Sequence, residues 1–126
     1  MILVRDGRFS PSREAPDLVL EPDAVLDDTV LDDLAFADAA IVAVRFPSSA
    51  DGRGNSLAQR LRLLGYRGRL RATGHVLADQ YPLALRCGFD EVEIADDLAA
   101  RMPEEQWLDA MDRVGLNYQD RLKRAG

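Results

Sequence analysis

The stretch Ala-Ile-Val-Ala-Val at residues 40–44 is apolar from end to end, with no polar residue between its members. A strand with one face in water alternates apolar and polar residues, whereas an unbroken apolar run is typical of a strand buried on both faces. Strands of this kind lie inside a parallel sheet that helices cover. The sequence therefore predicts a central strand at residues 40–44, with helices packed on both sides of the sheet.

Strand and helix signals alternate along the chain on both sides of this run. Short apolar or alternating runs predict three further strands, at residues 18–20, 69–73 and 91–94. Apolar residues at helical spacing predict helices at residues 28–37, 55–64 and 77–87, with two more beginning at Asp96 and Pro103. Pro82 is expected to kink the helix at 77–87, or to divide it into one turn and a following segment.

The N-terminal residues carry a hairpin signal. Asp6-Gly7 lies between the apolar residues 2–4 and Phe9, and an Asp-Gly pair in this setting is typical of a tight turn between two strands. The chain of 126 residues has the length of one domain. We expect a ribbon and connection at residues 1–16, a βα core at 17–114 and a C-terminal tail at 115–126.

The repeated order of strand and helix predicts an α/β fold with a mainly parallel sheet. Right-handed crossovers between parallel strands are compatible with an open sheet or with an arc like half of a (β/α)8 barrel, and we prefer the half-barrel arrangement slightly. Four short strands leave a sheet edge or face uncovered. Association through that surface would bury it, so we expect a homodimer.

Composition excludes several classes of protein. No apolar run approaches the roughly 18 residues that cross a membrane, and the N-terminus does not have the apolar core of a signal peptide, so we expect a cytoplasmic protein. A net charge of −6 disfavours nucleic-acid binding. Cys87 is the only cysteine, which excludes an internal disulfide. We therefore expect no structural metal and no redox cofactor.

The charges are unevenly distributed along the chain. Residues 14–38 contain nine acidic residues and no basic one, whereas residues 45–86 contain eight arginines and two aspartates. A positive region of this kind favours an anionic ligand or partner. The alternative is that the arginines reflect a compositional bias and simply solvate the outer faces of helices.

Ligand sites in parallel α/β sheets lie beyond the carboxyl ends of the strands, and three predicted strands end in polar or glycine-rich segments. The second is followed by Asp51-Gly52-Arg53-Gly54, where free amide groups at a helix start favour an oxyanion. The alternative is an ordinary turn in which Asn55 or Ser56 caps the helix. The candidate anion-binding residues at this edge are Arg45, Asp51, Gly52, Arg53, Gly54, Arg71 and His75.

Catalysis has weaker support in the sequence. His75 is the only histidine, and with Asp79 four residues later it has the chemistry of a general acid or base. No nucleophile accompanies it, and a lone Cys87 is most often a small buried apolar residue. We therefore assign no catalytic residue and leave open whether the protein is an enzyme.

Several short motifs together resemble a bacterial family of uncharacterised proteins that are commonly encoded beside assimilatory sulfite reductase. The matching segments are Phe46-Pro47, residues 51–54, 56–58, Leu61-Arg62, Gly65-Tyr66, Gly68, residues 70–72, Gly74, Val76-Leu77, Asp79-Gln80 and residues 86–90. The resemblance covers about residues 17–94, and Tyr118-Gln119 in the tail is a further similar pair. His75 departs from the family pattern, in which an acidic residue usually follows the glycine, and so does Pro82.

The resemblance implies an accessory role in sulfite reduction and cysteine biosynthesis, with sulfite reductase or its electron donor as partner. It carries over no catalytic residue. The residues themselves leave two alternatives open. One is a small enzyme for a phosphorylated or carboxylated metabolite, with arginines for binding and His75 or Asp51 for proton transfer. The other is a scaffold, which scattering of the candidate residues over the surface would favour.

Overall fold

The computed structural model describes residues 1–113. Within these residues the strands are β1 (Ile2–Arg5), β2 (Arg8–Pro11), β3 (Leu18–Leu20), β4 (Ile41–Phe46), β5 (Arg69–Gly74) and β6 (Glu91–Ile94). The α-helices are α1 (Leu34–Ala37), α2 (Arg53–Leu64), α3 (Tyr81–Cys87), α4 (Asp96–Arg101) and α5 (Glu104–Asp112). Val114 and the predicted tail at 115–126 lie outside the described residues. No helix within the described part of the chain is long and apolar enough to span a membrane.

The strands form one six-stranded open sheet in the order β2-β1-β6-β5-β4-β3. Strands β3 to β6 are parallel, and the hairpin of β1 and β2 adds two antiparallel strands beside β6. The prediction of an α/β fold with a mainly parallel sheet is therefore confirmed, whereas the preferred half-barrel arrangement is not. Residues 41–46 form an interior strand that lies next to the edge strand β3, not at the centre.

The expectation of helices on both faces of the sheet is wrong. Buried residues of α2, α3 and α5 all join one core with the same face of the sheet, which presents Val42, Val44, Leu70, Ala72, Val92 and Ile94. The reason is the strand order. Strands β3, β4, β5 and β6 are added in one direction, and right-handed crossovers in one direction put every helix on the same face.

The opposite, helix-free face is covered by the segment that joins β2 to β3, residues 12–17, here called the crossing segment. Because these strands lie at opposite edges of the sheet, their connection has to pass over the strands between them. Ser12 donates a hydrogen bond to Glu93 on β6, and the carbonyl of Glu14 accepts one from Arg71 on β5 at 2.7 Å. Asp17 then donates its N–H to the carbonyl of Ile41 at 2.8 Å. The crossing segment, not a layer of helices, covers this side of β4 to β6.

A buried ionic cluster lies under the crossing segment. The fully buried carboxylate of Glu91 accepts hydrogen bonds from Arg5 (3.3 Å), from Arg69 (2.9 and 3.0 Å) and from Arg71 (2.7 Å). The guanidinium of Arg69 also reaches the Glu14 side chain of the crossing segment at 3.0 Å. Charges are stable in such a place only when partners replace the lost water, and here each charge has them. The cluster joins β1, β5, β6 and the crossing segment.

Two predicted helices are divided in the structure. The predicted helix at 28–37 is a 3-10 turn at Val30–Asp32 followed by α1, because Asp33 is extended and its carboxylate accepts the N–H of Ala35 at 2.9 Å. An aspartate in this position caps a new helix and interrupts the old one. The helix predicted at 77–87 is likewise a 3-10 turn at Ala78–Gln80 followed by α3, with Pro82 in its first turn as expected.

The predicted N-terminal hairpin is confirmed. Asp6 and Gly7 have φ values of +53° and +77°, and the two residues join β1 to β2. Consecutive positive φ values are the geometry of the tight turn that matches the twist of two antiparallel strands. The hairpin thereby supplies β1 to the sheet and, through Arg5, one of the partners of Glu91.

We predict that Glu91→Gln lowers the free energy of unfolding by about 3 kcal/mol, because the buried Arg71 then loses the nearer of its two opposite charges. Glu14→Gln is the matched control, since its side chain is 64% exposed and pairs only at the surface. The control is expected to cost less than about 1 kcal/mol. Urea denaturation measures both values, and equal losses for the two variants would contradict the role assigned to Glu91.

Candidate functional site

The structure separates the seven candidate anion-binding residues into distinct places. Arg45 and His75 line a cavity on the helix-free face, whereas Asp51 and Gly52 line another cavity between the first turns of α2 and α3. Arg71 belongs to the buried ionic cluster, and Gly54 is buried against the ring of Phe46. The seven candidate residues therefore do not line a single pocket.

The cavity on the helix-free face, here called the helix-free cavity, has a volume of about 450 Å³. It lies where β4 and β5 end, with Pro16 of the crossing segment and Val19 of β3 on another side. Its lining residues are Pro16, Val19, Ala43, Arg45, Phe46, Pro47, Thr73, Gly74, His75 and Glu93. This position matches the carboxyl edge at which parallel sheets bind ligands.

The loop after β5 brings His75 to this cavity. The N–H of His75 donates to the carbonyl of Phe46 at 2.8 Å, so the loop is fixed to the end of β4. Gly74 has a φ of +118°, and a Cβ there would lie 2.5 Å from the same carbonyl oxygen. Only glycine permits this approach. The exposed imidazole is thereby positioned beside the end of the strand that carries Arg45.

Arg45 is the accessible cation of the helix-free cavity. Its guanidinium lies 3.1 Å from the carboxylate of Glu21, and both side chains are more than half exposed. An exposed pair of this kind contributes little, about 0–1 kcal/mol, because water screens it. A ligand with a stronger negative charge can therefore replace Glu21 as a hydrogen-bond partner of the Arg45 guanidinium.

Glu93 is the acidic group of the same cavity, and its charge is shared with internal donors. Its carboxylate accepts hydrogen bonds from Thr73 at 3.0 Å and from Ser12, and it lies 3.5 Å from Nη1 of Arg71. Arg71 itself is buried, and its Nη2 has no hydrogen-bond partner within residues 1–113. The region around the cavity thus contains two arginines as well as this glutamate.

The start of α2 already holds an anion, namely the side chain of Asp51. Its carboxylate accepts the N–H of Arg53 at 3.1 Å and the Arg53 guanidinium at 3.0 and 2.8 Å. Hydrogen bonds from the Arg53 side chain, and then from its backbone, lower the pKa of Asp51 to about 2. An external oxyanion at this helix start would have to displace an internal one. The alternative cap by Asn55 or Ser56 is wrong, because both residues lie inside α2.

The cavity between α2 and α3 is smaller, about 200 Å³, and like the helix-free cavity it is lined mostly by apolar surface. Gln80 lines this cavity. Its side chain donates a hydrogen bond to the carbonyl of Ser49 at 2.6 Å and accepts one from the N–H of Leu77 at 3.0 Å. The Oδ1 atom of Asn55 is buried there without a hydrogen-bond partner among the described residues. This cavity offers acceptors, not cations, and so suits the predicted oxyanion poorly.

The groups considered for catalysis are not assembled. No hydrogen bond or ion pair within residues 1–113 joins His75 to Asp79. Burial raises the pKa of the Cys87 thiol, which disfavours the reactive thiolate. Within the same residues, no three His, Cys, Asp or Glu side chains are grouped so that they could hold a metal ion.

Thr73, Glu93 and Ser12 contribute to the site although none of them is among the seven candidate anion-binding residues. The signal for two of them was present in the alternation of residues 69–73 and 91–94, which places Arg69, Arg71 and Thr73 on one face of β5, and Glu91 and Glu93 on one face of β6. Polar residues of opposite charge on neighbouring strands indicate a shared polar face. Ser12 carries no comparable signal.

We predict that Asp51 titrates with a midpoint of about 2 in a carbon-detected NMR titration of its carboxyl group. Arg53→Ala removes the side-chain hydrogen bonds, so the midpoint is expected to rise toward the ordinary value of 3.8. Because the pKa is lowered on folding, the contribution of Asp51 to stability is present above pH 3.8 and is lost as the pH falls toward 2. An unchanged midpoint in Arg53→Ala would show that Arg53 does not hold this carboxylate.

Comparison with known proteins identifies a family for this chain but gives no activity. A family model described as "Bacterial protein of unknown function (DUF934)" matches residues 18–125. No curated protein and no solved structure matches the chain. The match agrees with the resemblance to an uncharacterised bacterial family and extends it beyond residue 94. It carries no link to sulfite reductase.

Proposed function

The chain belongs to this bacterial family of unknown function, DUF934, and we propose that it is a non-catalytic accessory protein of assimilatory sulfite reduction and cysteine biosynthesis. In this proposal it holds a small oxyanion in the helix-free cavity. The observation that carries the binding role is that Arg45 and His75 line one cavity at the carboxyl edge of the sheet. The pathway rests on the resemblance of the sequence motifs alone.

The chemistry of the cavity suits an oxyanion such as sulfite. The planar guanidinium of Arg45 presents two parallel N–H groups to two oxygens of one anion, and charged hydrogen bonds of this type are among the strongest in proteins. His75 adds a second donor beside it, with positive charge when protonated. Because the guanidinium of Arg71 lies 3.5 Å from the carboxylate of Glu93 and opposes its charge, the repulsion of a bound anion by Glu93 is reduced.

The arrangement of the remaining groups supports a binding role over the enzyme alternative. Asp51 has a pKa of about 2, so its carboxylate is a weak base near neutral pH, and it is held by Arg53. Cys87 is buried. Among the described residues, no nucleophilic side chain forms a hydrogen bond with the imidazole of His75. Proton transfer to a phosphorylated or carboxylated metabolite would require groups that this site does not bring together.

The proposed partner is sulfite reductase or the protein that donates electrons to it. The chain has little chemistry for electron transfer, since it contains a single cysteine and one histidine. An accessory protein needs only to bind the anion or the partner. The expected homodimer stays a prediction.

We predict that sulfite binds the helix-free cavity saturably in an NMR titration against sodium chloride of equal ionic strength. The amide signals of Thr73, Gly74 and His75 are expected to shift, because these residues line the cavity. Arg45→Ala should weaken binding about tenfold or more, since it removes the charged donor. Arg53→Ala is the matched control, because it removes another exposed arginine outside this cavity. Equal affinities for wild type and Arg45→Ala would refute the site.

The pathway is tested in the organism that carries the gene. A deletion strain is expected to grow slowly with sulfate or sulfite as the sulfur source and normally with cysteine. A plasmid copy of the wild-type gene should restore growth, and a copy with Arg45→Ala should restore it less well. Normal growth of the deletion strain on sulfate and on sulfite would rule out the proposed role, whatever the protein binds in solution.

A further inference from the structure

The helix-free cavity is larger than a bare oxyanion needs. Its volume is about 450 Å³, whereas a sulfite ion consists of one sulfur and three oxygen atoms. Cavities of about 300–1,000 Å³ that are mostly apolar and contain a few well-placed polar groups are typical of sites for organic ligands. A small inorganic anion beside Arg45 and His75 would therefore leave most of this cavity unused.

The strand register arranges the floor of the cavity in two rows. Val19 on β3 lies beside Ala43 on β4, and these two cavity residues are here called the apolar row. Nearer the strand ends, Arg45 on β4 lies beside Thr73 on β5, which in turn lies beside Glu93 on β6. These three residues also line the cavity and are here called the polar row. The cavity thus has an apolar part and a charged part.

The apolar row remains in contact with water at Val19, which is 50% exposed. The neighbouring Leu18 and Leu20 instead pack partly against the core on the other face of the sheet. Pro16 of the crossing segment and Pro47 after β4 add further apolar walls to the cavity. Covering exposed apolar surface of this kind with an apolar group of a ligand is favourable.

The two rows are close enough for one small molecule to contact both. Arg45 follows Ala43 by two residues on β4, which corresponds to about 7 Å along a strand. An oxyanion bound by Arg45 and His75 therefore lies within the length of a short carbon chain from Val19. A chain running in that direction along β4 would meet Pro16 of the crossing segment.

We propose that the ligand of the helix-free cavity is an organic oxyanion, with an anionic head group on a short apolar body. The head group binds Arg45 and His75, and the body covers the apolar row. This inference rests on the proposed function, because it uses the same anion site, and it adds the class of ligand. An inorganic oxyanion would occupy only the part of the cavity beside the polar row.

The test is an NMR titration of the full chain with methanesulfonate and with butane-1-sulfonate at equal ionic strength. The two probes have the same head group and differ only in the length of the carbon chain. Butanesulfonate is expected to bind about tenfold or more tightly, because its additional methylene groups leave water. Only butanesulfonate should shift the methyl signals of Val19. Butan-1-ol, which lacks the charged head group, should bind at least about tenfold more weakly than butanesulfonate.

Variants separate the two parts of the site. Val19→Thr keeps the branched shape and adds a hydroxyl group, so it should reduce the preference for butanesulfonate over methanesulfonate about threefold or more. Val25→Thr is the matched control, since it makes the same change at a valine that is 90% exposed and lies outside the cavity. This control should keep the wild-type preference. Arg45→Ala should weaken the binding of both sulfonates.

The outcomes distinguish this inference from the proposed function. Equal affinities for the two sulfonates, both reduced by Arg45→Ala, would overturn the inference and leave the anion site in place. Saturable binding of neither sulfonate would refute the anion site and the inference with it. Tighter binding of butanesulfonate without a shift at Val19, or the same preference in Val19→Thr and Val25→Thr, would place the carbon chain elsewhere and overturn the inference. If Val19→Thr unfolds the protein, the shift of the Val19 methyl signals in the wild type decides.

Discussion

The buried carboxylate of Glu91 is the contact on which the functional face of this protein depends. It binds arginines from β1 and β5, and two of these arginines, Arg69 and Arg71, also hold Glu14 of the crossing segment. Burying these charges costs desolvation free energy. The cluster offsets this cost because each charge lies beside an opposite one. The cluster around Glu91 thereby holds the middle of the crossing segment, while Ser12 bonds Glu93 on β6 and Asp17 bonds Ile41 on β4.

The crossing segment in turn creates the features that bear on function. Pro16 forms one side of the helix-free cavity, and Asp17 leads directly into the edge strand β3. Because every crossover places its helix on the opposite face, this side of the sheet stays free of helices and open at one edge. The same strand order that builds the core thus leaves the proposed anion site on the helix-free face, where Arg45 pairs with Glu21.

Local patterns predicted much of the fold, and long-range contacts account for what they missed. The apolar run at 40–44 correctly indicated a strand buried on both faces, but such a run does not distinguish a layer of helices from a crossing segment. Arg71 was singled out for an external anion, whereas its partner Glu91 lies 20 residues away in sequence and only the sheet brings the two together. Asp51 was grouped with the anion ligands, yet its own carboxylate occupies the start of α2. Arg45 and His75, at the ends of β4 and β5, do line one cavity. The sequence could predict this, because neighbouring parallel strands have their carboxyl ends at the same edge of the sheet.

A crystal structure of the protein grown with sulfite would test most directly the claim that the helix-free face is the functional face. Our account predicts oxyanion density in the helix-free cavity, within hydrogen-bonding distance of the Arg45 guanidinium and beside His75. Density at the start of α2, with Asp51 displaced from Arg53 and the helix-free cavity empty, would contradict it.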